Sequence, residues 1–149
     1  MKIFITGVAG FLGSHLADRF LQLGHQVAGN DILIGGYLDN VPKGVEFYTT
    51  DCCDNDLMVD AMEGCDIVIH TAATAHEGLS VFSPSFITRN IFEASVSTIS
   101  AAIQVKAKRF VYCTSMARYG NQPHPFTEDM TPQPVDPYGV AKVAGEDVL

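Results

Sequence analysis

Three glycines at three-residue spacing, Gly7, Gly10 and Gly13, constrain the fold most strongly, because they lie between a predicted strand and a predicted helix. Residues 2–6 form a short, mostly apolar run, which is typical of a buried parallel strand. Residues 14–23 place large apolar side chains at helical spacing, and a further glycine follows them. A strand, a turn and a helix in this order favour a sheet of parallel strands.

The same alternation continues along the chain. Further apolar runs are predicted to be strands, at residues 26–31, 45–50, 66–73 and 109–114. Helices are predicted at residues 54–62, 85–106 and 138–149, with Asp54 as a candidate N-cap. Residues 77–84 and the proline-rich residues 121–137 are interpreted as loops, the first a candidate substrate loop. This pattern predicts an α/β fold, a doubly wound parallel sheet with helices on both faces.

Length and composition narrow the possible functions. The 149 residues correspond to one domain, and 47% apolar with 17% charged residues indicates a globular chain. The formal net charge of −8 disfavours nonspecific binding to nucleic acid or an anionic membrane, and no apolar run is long enough to span a bilayer. The four cysteines lack zinc-like spacing and are interpreted as reduced thiols. We therefore expect a cytoplasmic protein with no metal site and no nucleic-acid or membrane partner.

The glycine loop predicts a phosphate-binding site. At a helix N-terminus, free N–H groups and the helix dipole attract a phosphate, and glycines let it approach the backbone. Gly7, Gly10 and Gly13 have the spacing GxxGxxG, with Phe11 and Leu12 between the last two. We predict that these five residues contact the pyrophosphate of a dinucleotide. The alternative is a purely structural turn, because glycines also mark turns.

Acidic residues follow the second and third predicted strands. Asp31 ends the second strand, where an acid can accept hydrogen bonds from the adenosine ribose hydroxyls. No arginine or lysine follows it to accept a 2′-phosphate, so NAD is favoured over NADP as the cofactor. Asp51 ends the third strand, where an acid can contact the adenine amino group, and Cys52 is assigned to the same cofactor site. The alternatives are a strand-end turn role for Asp31 and a helix cap by Asp51 or Asp54.

Tyr138, Lys142 and Ser115 form a candidate catalytic set. Residues four apart share a helix face, so Lys142 is expected beside Tyr138, where its ammonium group favours a phenolate. Tyr138 can then take a proton from a substrate hydroxyl, and Lys142 can hold the nicotinamide ribose. Ser115, just after the fifth strand, can orient the substrate oxygen. The alternatives are an exposed helix start for Tyr138 and Lys142 and a turn cap for Ser115.

Together these motifs resemble the extended short-chain dehydrogenase/reductases, the family of NAD-dependent nucleotide-sugar epimerases and dehydratases. The resemblance covers the whole chain and also includes residues 70–73, Asn90 and residues 119–120. It implies a Rossmann-type sheet, NAD as the cofactor, the same three catalytic residues, and Ala72 and Ala73 along the cofactor path. It further implies a nucleotide-sugar substrate and homodimers formed through a pair of helices. Taken alone, His70 is interpreted as a hydrogen-bonded core histidine.

The segment after Ser115 favours one subclass of this family. Family dehydratases usually carry Asp and Glu directly after the hydroxyl residue, and decarboxylases usually place a glutamate two residues after it. This chain has Met116 and Ala117 there, so it resembles the UDP-sugar 4-epimerases more closely, which act through a transient ketone. The N-terminal part of a decarboxylase or dehydratase is the alternative. Arg118, which follows, is interpreted as facing solvent.

The resemblance also predicts the organisation of the chain. Family members commonly run to about twice the length of one domain. We therefore interpret residues 1–149 as an N-terminal NAD-binding domain that is truncated after about five strands, within the helix that carries Tyr138 and Lys142. A C-terminal substrate domain is expected to be absent. A truncated NAD-binding module without catalysis is the main alternative to an active epimerase, and a regulatory domain with vestigial motifs is the third hypothesis.

Overall fold

The chain is organised around a five-stranded parallel sheet. The computed structural model describes residues 1–149. Its strands are β1 (Lys2–Thr6), β2 (Gln26–Asn30), β3 (Glu46–Tyr48), β4 (Ile67–His70) and β5 (Arg109–Tyr112), in the sheet order β3-β2-β1-β4-β5. The first three strands run from the centre of the sheet to one edge, and the chain then returns to the other side of β1. This order confirms the predicted Rossmann-type, doubly wound fold.

The helices lie between and after these strands. They are α1 (Phe11–Gln22), α2 (Asn55–Ala61), α3 (Glu77–Phe82), α4 (Pro84–Thr88), α5 (Ala94–Gln104) and α6 (Pro137–Val148). Asp54 caps α2 as predicted, because its side chain accepts a hydrogen bond from the Leu57 N–H at 3.2 Å. The prediction of a loop at residues 77–84 was wrong, since the short α3 lies there and buries Ser80. No helix is both long enough and apolar enough to cross a membrane.

Alternate strand residues face opposite sides of the sheet and build two cores. On one side, Phe4 belongs to a cluster with Met58 of α2 and Ala101 of α5. On the other side, Ile5 belongs to a cluster with Ala17 of α1. The two-residue period of a strand accounts for this division. Helices therefore cover both faces, and the carboxyl ends of the strands remain open at one edge of the molecule.

The predicted helix over residues 85–106 is present, but a π-helical turn at Arg89–Glu93 interrupts it between α4 and α5. In this turn the Ala94 N–H donates to the Arg89 carbonyl oxygen, five residues earlier. Such turns contain an extra residue and are frequent at functional sites. The segment also positions α6, because Ile87 and Ile91 pack against Tyr138.

Candidate functional site

A cavity of about 540 Å³ lies at the carboxyl ends of the central strands. The glycine loop, the segments that follow β2, β3 and β4, and four residues of the α3–α5 region line it. In open parallel sheets, ligands bind in the crevice where the strand order reverses, which here is between β1 and β4. Asp31 and Asp51 are the only carboxylates in the lining, and it contains no lysine or arginine.

Gly7 and Gly13 occupy positions where the loop requires glycine. Gly7 has a φ of +70°, and a Cβ atom there would lie 2.8 Å from Ala72 Cα. A Cβ atom on Gly13 would collide with the carbonyl oxygen of Gly7. The N–H groups of Gly7 and Val8 both donate to the Asn30 carbonyl oxygen, at 2.8 and 3.1 Å. The loop is therefore a tight turn fixed to the end of β2, with its backbone uncovered on the cavity side.

The first turn of α1 provides unpaired amide donors. Gly10 is the N-cap in an extended conformation, so α1 begins at Phe11, earlier than the predicted residue 14. No side chain caps this helix, and the N–H groups of Phe11, Leu12 and Gly13 have no hydrogen-bond partner within the chain. All three residues line the cavity. Free N–H groups at the positive end of a helix dipole are suited to a phosphate.

Asp31 lies beside the glycine loop. Its Oδ2 accepts a hydrogen bond from the Ala9 N–H at 3.1 Å, and its Oδ1 accepts one from the Leu33 N–H at 2.8 Å. Asp31 therefore stabilises the turn after β2, as the structural alternative predicted. Each carboxylate oxygen can accept more than one hydrogen bond, so these contacts leave capacity for a ligand hydroxyl.

Asp51 forms an ion pair that the sequence did not indicate. Its Oδ1 accepts a hydrogen bond from the Cys53 N–H at 2.9 Å, and its Oδ2 lies 2.9 Å from Nη1 of Arg89. Burial raises the pKa of Asp51, but the Cys53 N–H and the Arg89 guanidinium outweigh it and hold that pKa below its usual value. Asp51 is therefore an anion fixed on the cavity wall, while the capping role belongs to Asp54.

Cys52 is buried next to Asp51. Nδ2 of Asn30 donates to the Thr50 carbonyl oxygen at 2.7 Å and to Sγ of Cys52 at 3.3 Å. Burial raises the pKa of the Cys52 thiol to about 11, so this thiol stays neutral at physiological pH. The backbone N–H of Cys52 has no hydrogen-bond partner within the chain. What Cys52 offers a ligand is therefore this amide donor.

Ala72 and Ala73 line the cavity directly after β4. The Ala72 N–H donates to Oγ1 of Thr6 at 3.1 Å, and this hydroxyl lies 2.7 Å from Nδ1 of His70. Nε2 of His70 lies 3.1 Å from the hydroxyl of Ser95. Burial lowers the pKa of His70 to about 3. His70 is thus the hydrogen-bonded core histidine that was predicted, and its contacts hold the backbone of Ala72 in place.

Tyr138 and Lys142 are both buried on α6, with 6% and 2% of their surfaces exposed. The exposed helix start that was the alternative for them is therefore wrong. Nζ of Lys142 donates to the Cys113 carbonyl oxygen at 2.8 Å and lies 5.0 Å from the centre of the Tyr112 ring. Burial lowers the pKa of Lys142 to about 8, because it disfavours the charged ammonium.

Ser115 lies three residues after β5 and caps a short turn, since its Oγ accepts a hydrogen bond from the Ala117 N–H at 3.2 Å. The expectation that Arg118 faces solvent was wrong. Its Nη2 lies 3.0 Å from Oε2 of Glu146, and only about a fifth of either side chain is exposed, at 22% and 21%. Glu146 also accepts a hydrogen bond from the Thr114 hydroxyl. One carboxylate of α6 therefore holds residues on both sides of Ser115.

The predicted cofactor residues and the predicted catalytic set occupy neighbouring places. The cavity brings together the glycine loop, Asp31, Asp51, Cys52, Ala72 and Ala73. Ser115, Tyr138 and Lys142 do not line it. Tyr138 lies in an adjoining recess, and Ala75, His76 and Leu79 line both spaces. Sequence reasoning missed these three residues, whose one signal was their position after β4.

Comparison with known proteins identifies the family. The model of the NAD dependent epimerase/dehydratase family matches residues 3–149. The chain belongs to this family. The UDP-glucose 4-epimerase of Mycolicibacterium smegmatis is 35% identical over 157 residues, a match that covers all of this chain and 50% of that enzyme. This epimerase/dehydratase chain therefore spans about half the length of the relatives it matches.

Solved structures of family members share the fold. The UDP-glucose 4-epimerase of Thermotoga maritima, solved with UDP-glucose, has a TM-score of 0.94 at 30% identity, covering 99% of this chain and 49% of that one. The UDP-glucose 4-epimerase of Thermus thermophilus, solved with NAD, has a TM-score of 0.94 at 32% identity, with the same coverage. The fold of this chain is therefore that of an NAD-dependent enzyme family.

Proposed function

We propose that this chain binds NAD in the 540 Å³ cavity and forms the cofactor-binding half of an NAD-dependent 4-epimerase of UDP-sugars. The observation that carries the proposal is a glycine cradle with unpaired amide donors next to Asp31, in a lining without lysine or arginine. The cradle suits a pyrophosphate, and Asp31 suits two ribose hydroxyls. A 2′-phosphate would instead face the carboxylate without a compensating cation, so NAD is favoured over NADP.

The proposal assigns each cavity residue to a part of the dinucleotide. Gly7, Gly10 and the amides of the first turn of α1 hold the pyrophosphate. Asp31 accepts hydrogen bonds from the adenosine ribose, Asp51 accepts one from the adenine amino group, and the Cys52 N–H donates to the ring. Ala72 and Ala73, which lack bulky side chains, lie along the path toward the recess of Tyr138. The backbone amides are thus paired with acceptors of the dinucleotide, and the two carboxylates with its donors.

The chemistry proposed for the catalytic set is a proton transfer coupled to reversible oxidation of carbon 4. When bound, NAD supplies the hydride acceptor and donor. Tyr138 takes the proton from the carbon-4 hydroxyl as carbon 4 is oxidised to a ketone. It returns a proton to this oxygen after the sugar has turned over. Lys142, fixed by the Cys113 carbonyl oxygen, contributes its charge beside Tyr138 and holds the nicotinamide ribose. Ser115 orients the substrate oxygen, as a hydroxyl in the segment just after β5 can do.

Epimerisation is favoured over elimination because the segment after Ser115 lacks an acid. Met116 and Ala117 have no ionisable group, so neither side chain can donate or accept a proton. Elimination needs a separate acid and base for the leaving hydroxyl. A ketone that is formed and then reduced at the same carbon needs only one residue that exchanges a proton, which is Tyr138.

A binding module without catalysis is the second candidate function. One observation favours it: the predicted catalytic set lies outside the cavity. The binding module would have the same NAD site as the 4-epimerase but would not convert UDP-sugars.

We also propose that two copies of the protein associate through helices, as the family resemblance implies. A shallow apolar groove runs between the helical segment at Thr88 and Phe92 and the exposed face of α6 at Val140 and Ala144. Val140 is 52% exposed, although it is apolar. Covering such a face is a common cause of helix pairing between subunits. Sedimentation of wild type and Val140→Glu tests this, because the charge should dissociate the dimer.

The proposal places the protein in the cytoplasm. All four cysteines are free, and Cys52 and Cys65 are buried. Free thiols are the rule where the compartment is reducing. Fractionation of cells that produce the protein checks this.

Calorimetric titration of the purified chain with NAD and NADP tests the cofactor site. Micromolar binding of NAD and much weaker binding of NADP are expected. Gly13→Ala is the negative control, because the added methyl group collides with the Gly7 backbone and should abolish NAD binding. Absence of NAD binding to wild type would contradict the proposed site, and NAD binding without conversion of any UDP-sugar would favour the binding module.

A further inference from the structure

We propose that Arg89 is a positioning residue for base recognition: it fixes Asp51 as an obligate hydrogen-bond acceptor, so that the cavity selects adenine over a 6-oxopurine. This inference rests on the proposed binding of NAD and concerns the base end of the same cavity. Arg89 does not line the cavity, so its effect on the base must pass through Asp51.

Asp51 lies between two spaces. It lines the 540 Å³ cavity on one side and a shallow polar recess on the other, and Arg89 lines only the recess. The guanidinium belongs to the recess, and its Nη1 lies 2.9 Å from Oδ2 of Asp51. The Cys53 N–H holds Oδ1 at 2.9 Å. With both oxygens fixed, the carboxylate presents a defined edge to a base in the cavity.

A second contact fixes Arg89 itself. The Cys53 thiol donates to the Arg89 carbonyl oxygen at 3.4 Å, and the Ala94 N–H donates to the same oxygen as part of the π turn. The turn after β3 and the π turn are therefore joined twice, once through the Arg89 side chain and once through its backbone. A half-exposed ion pair adds little to stability. What the ion pair contributes to the site is a fixed orientation of the Asp51 carboxylate.

The chemistry of a fixed, ionised carboxylate is selective between purines. A carboxylate can only accept hydrogen bonds, so it binds the amino group at position 6 of adenine and repels the oxygen at position 6 of hypoxanthine. Arg89 favours the ionised form, since a neighbouring cation disfavours protonation. Cys52 lines the same cavity, and its unpaired N–H can donate to N1 of adenine, which carries no proton. Hypoxanthine carries a proton at that nitrogen, so it would lose this contact too.

Calorimetric titration with NAD and with nicotinamide hypoxanthine dinucleotide tests the proposal on the whole chain. Wild type is expected to bind NAD at least about tenfold more tightly. In Arg89→Gln, NAD binding should weaken by about fivefold to tenfold while the hypoxanthine dinucleotide changes little, because only the first ligand uses the fixed carboxylate. Arg89→Lys keeps the charge and should retain part of the selectivity. Arg19→Gln, on an exposed face of α1, is the matched control and should leave both affinities unchanged.

Asp51→Asn separates positioning from general weakening. Its side-chain amide can donate to the 6-oxo group, so the preference for NAD should shrink or reverse. If Arg89 acts through Asp51, Arg89→Gln should cost no further selectivity in the Asp51→Asn background. Thermal unfolding tests whether each variant is folded. If Arg89→Gln is not folded, Arg89→Lys replaces it.

The outcomes are distinguishable. Equal binding of the two dinucleotides by wild type, or equal weakening of both in Arg89→Gln, would overturn the role of Arg89 and leave the NAD site standing. Absence of binding of either dinucleotide to wild type would overturn the proposed function itself, and this inference with it.

Discussion

The ammonium group of Lys142 donates a hydrogen bond to the carbonyl oxygen of Cys113 at 2.8 Å, which connects α6 to the end of β5. This contact makes Lys142 structural as well as a candidate catalytic residue. Its side chain is removed from water, and burial lowers its pKa to about 8. A buried ammonium costs stability for as long as it carries its charge.

Removal of the Lys142 charge should therefore alter the pH dependence of stability. The folded-state pKa of about 8 lies below the ordinary value of 10.5, so the cost of the charge is present below pH 8 and disappears as pH rises to 10.5. The free energy of unfolding of wild type, relative to Lys142→Met, should rise by up to about 3 kcal/mol over this interval. Urea unfolding at several pH values measures it, with exposed Lys43→Met as the control. A constant difference would contradict the assignment.

The buried His70 predicts a loss of stability in mild acid. Its folded-state pKa of about 3 lies below 6.5, so the unfolded chain binds the proton first as pH falls between these values. Wild type should lose up to about 1.4 kcal/mol per pH unit between pH 6 and 4.5 relative to His70→Asn. Chemical denaturation at each pH measures this. His15→Asn, at an exposed position of α1, should keep the wild-type slope, and a wild-type slope in His70→Asn would show that another group is responsible.

Asp31→Ala should weaken NAD binding by about 1.5–3 kcal/mol, the range for hydrogen bonds to a charged group. The preference for NAD over NADP should also decrease, because the carboxylate no longer opposes a 2′-phosphate. Calorimetry measures both affinities. Asp31 also holds the N–H groups of Ala9 and Leu33, so thermal unfolding must accompany the titration. Asp39→Ala is the control, and an unchanged dissociation constant for NAD would remove Asp31 from the site.

Tyr138→Phe should abolish conversion of UDP-sugars while sparing NAD binding. The phenyl ring can keep the packing against Ile87 and Ile91, but it has no hydroxyl to exchange a proton with the substrate. Conversion is followed by chromatography of the sugar nucleotides, and NAD binding by calorimetry. Retained turnover in this variant would refute the base role of Tyr138.

Local sequence patterns were sufficient to predict the strands, the glycine loop and the long helical segment. Each of these features depends on neighbours in the chain: apolar period for the strands, glycine spacing for the loop, and the absence of breakers for the helix. The short α3 was missed because six residues that include Gly78 show no helical period. Its existence depends on packing, which a local pattern does not contain.

The ion pairs of the site could not be predicted in this way. Asp51 and Arg89 lie 38 residues apart, and Arg118 and Glu146 lie on different elements. Which charges meet depends on how the helices cross the sheet, and many surface charges meet none. The sequence therefore predicted Arg118 as free and left the partner of Asp51 unidentified.

The π turn at Arg89–Glu93 has a consequence for insertions and deletions. Loss of one residue there would leave a continuous α-helix with its backbone hydrogen bonds complete. Each helical residue accounts for about 100° of rotation. The segment before the deletion would therefore turn relative to α5 and carry the Arg89 side chain away from Asp51. The same rotation would carry the buried Ile87 away from Tyr138, so a deletion of this kind should lower the melting temperature as well as weaken the distinction between purines.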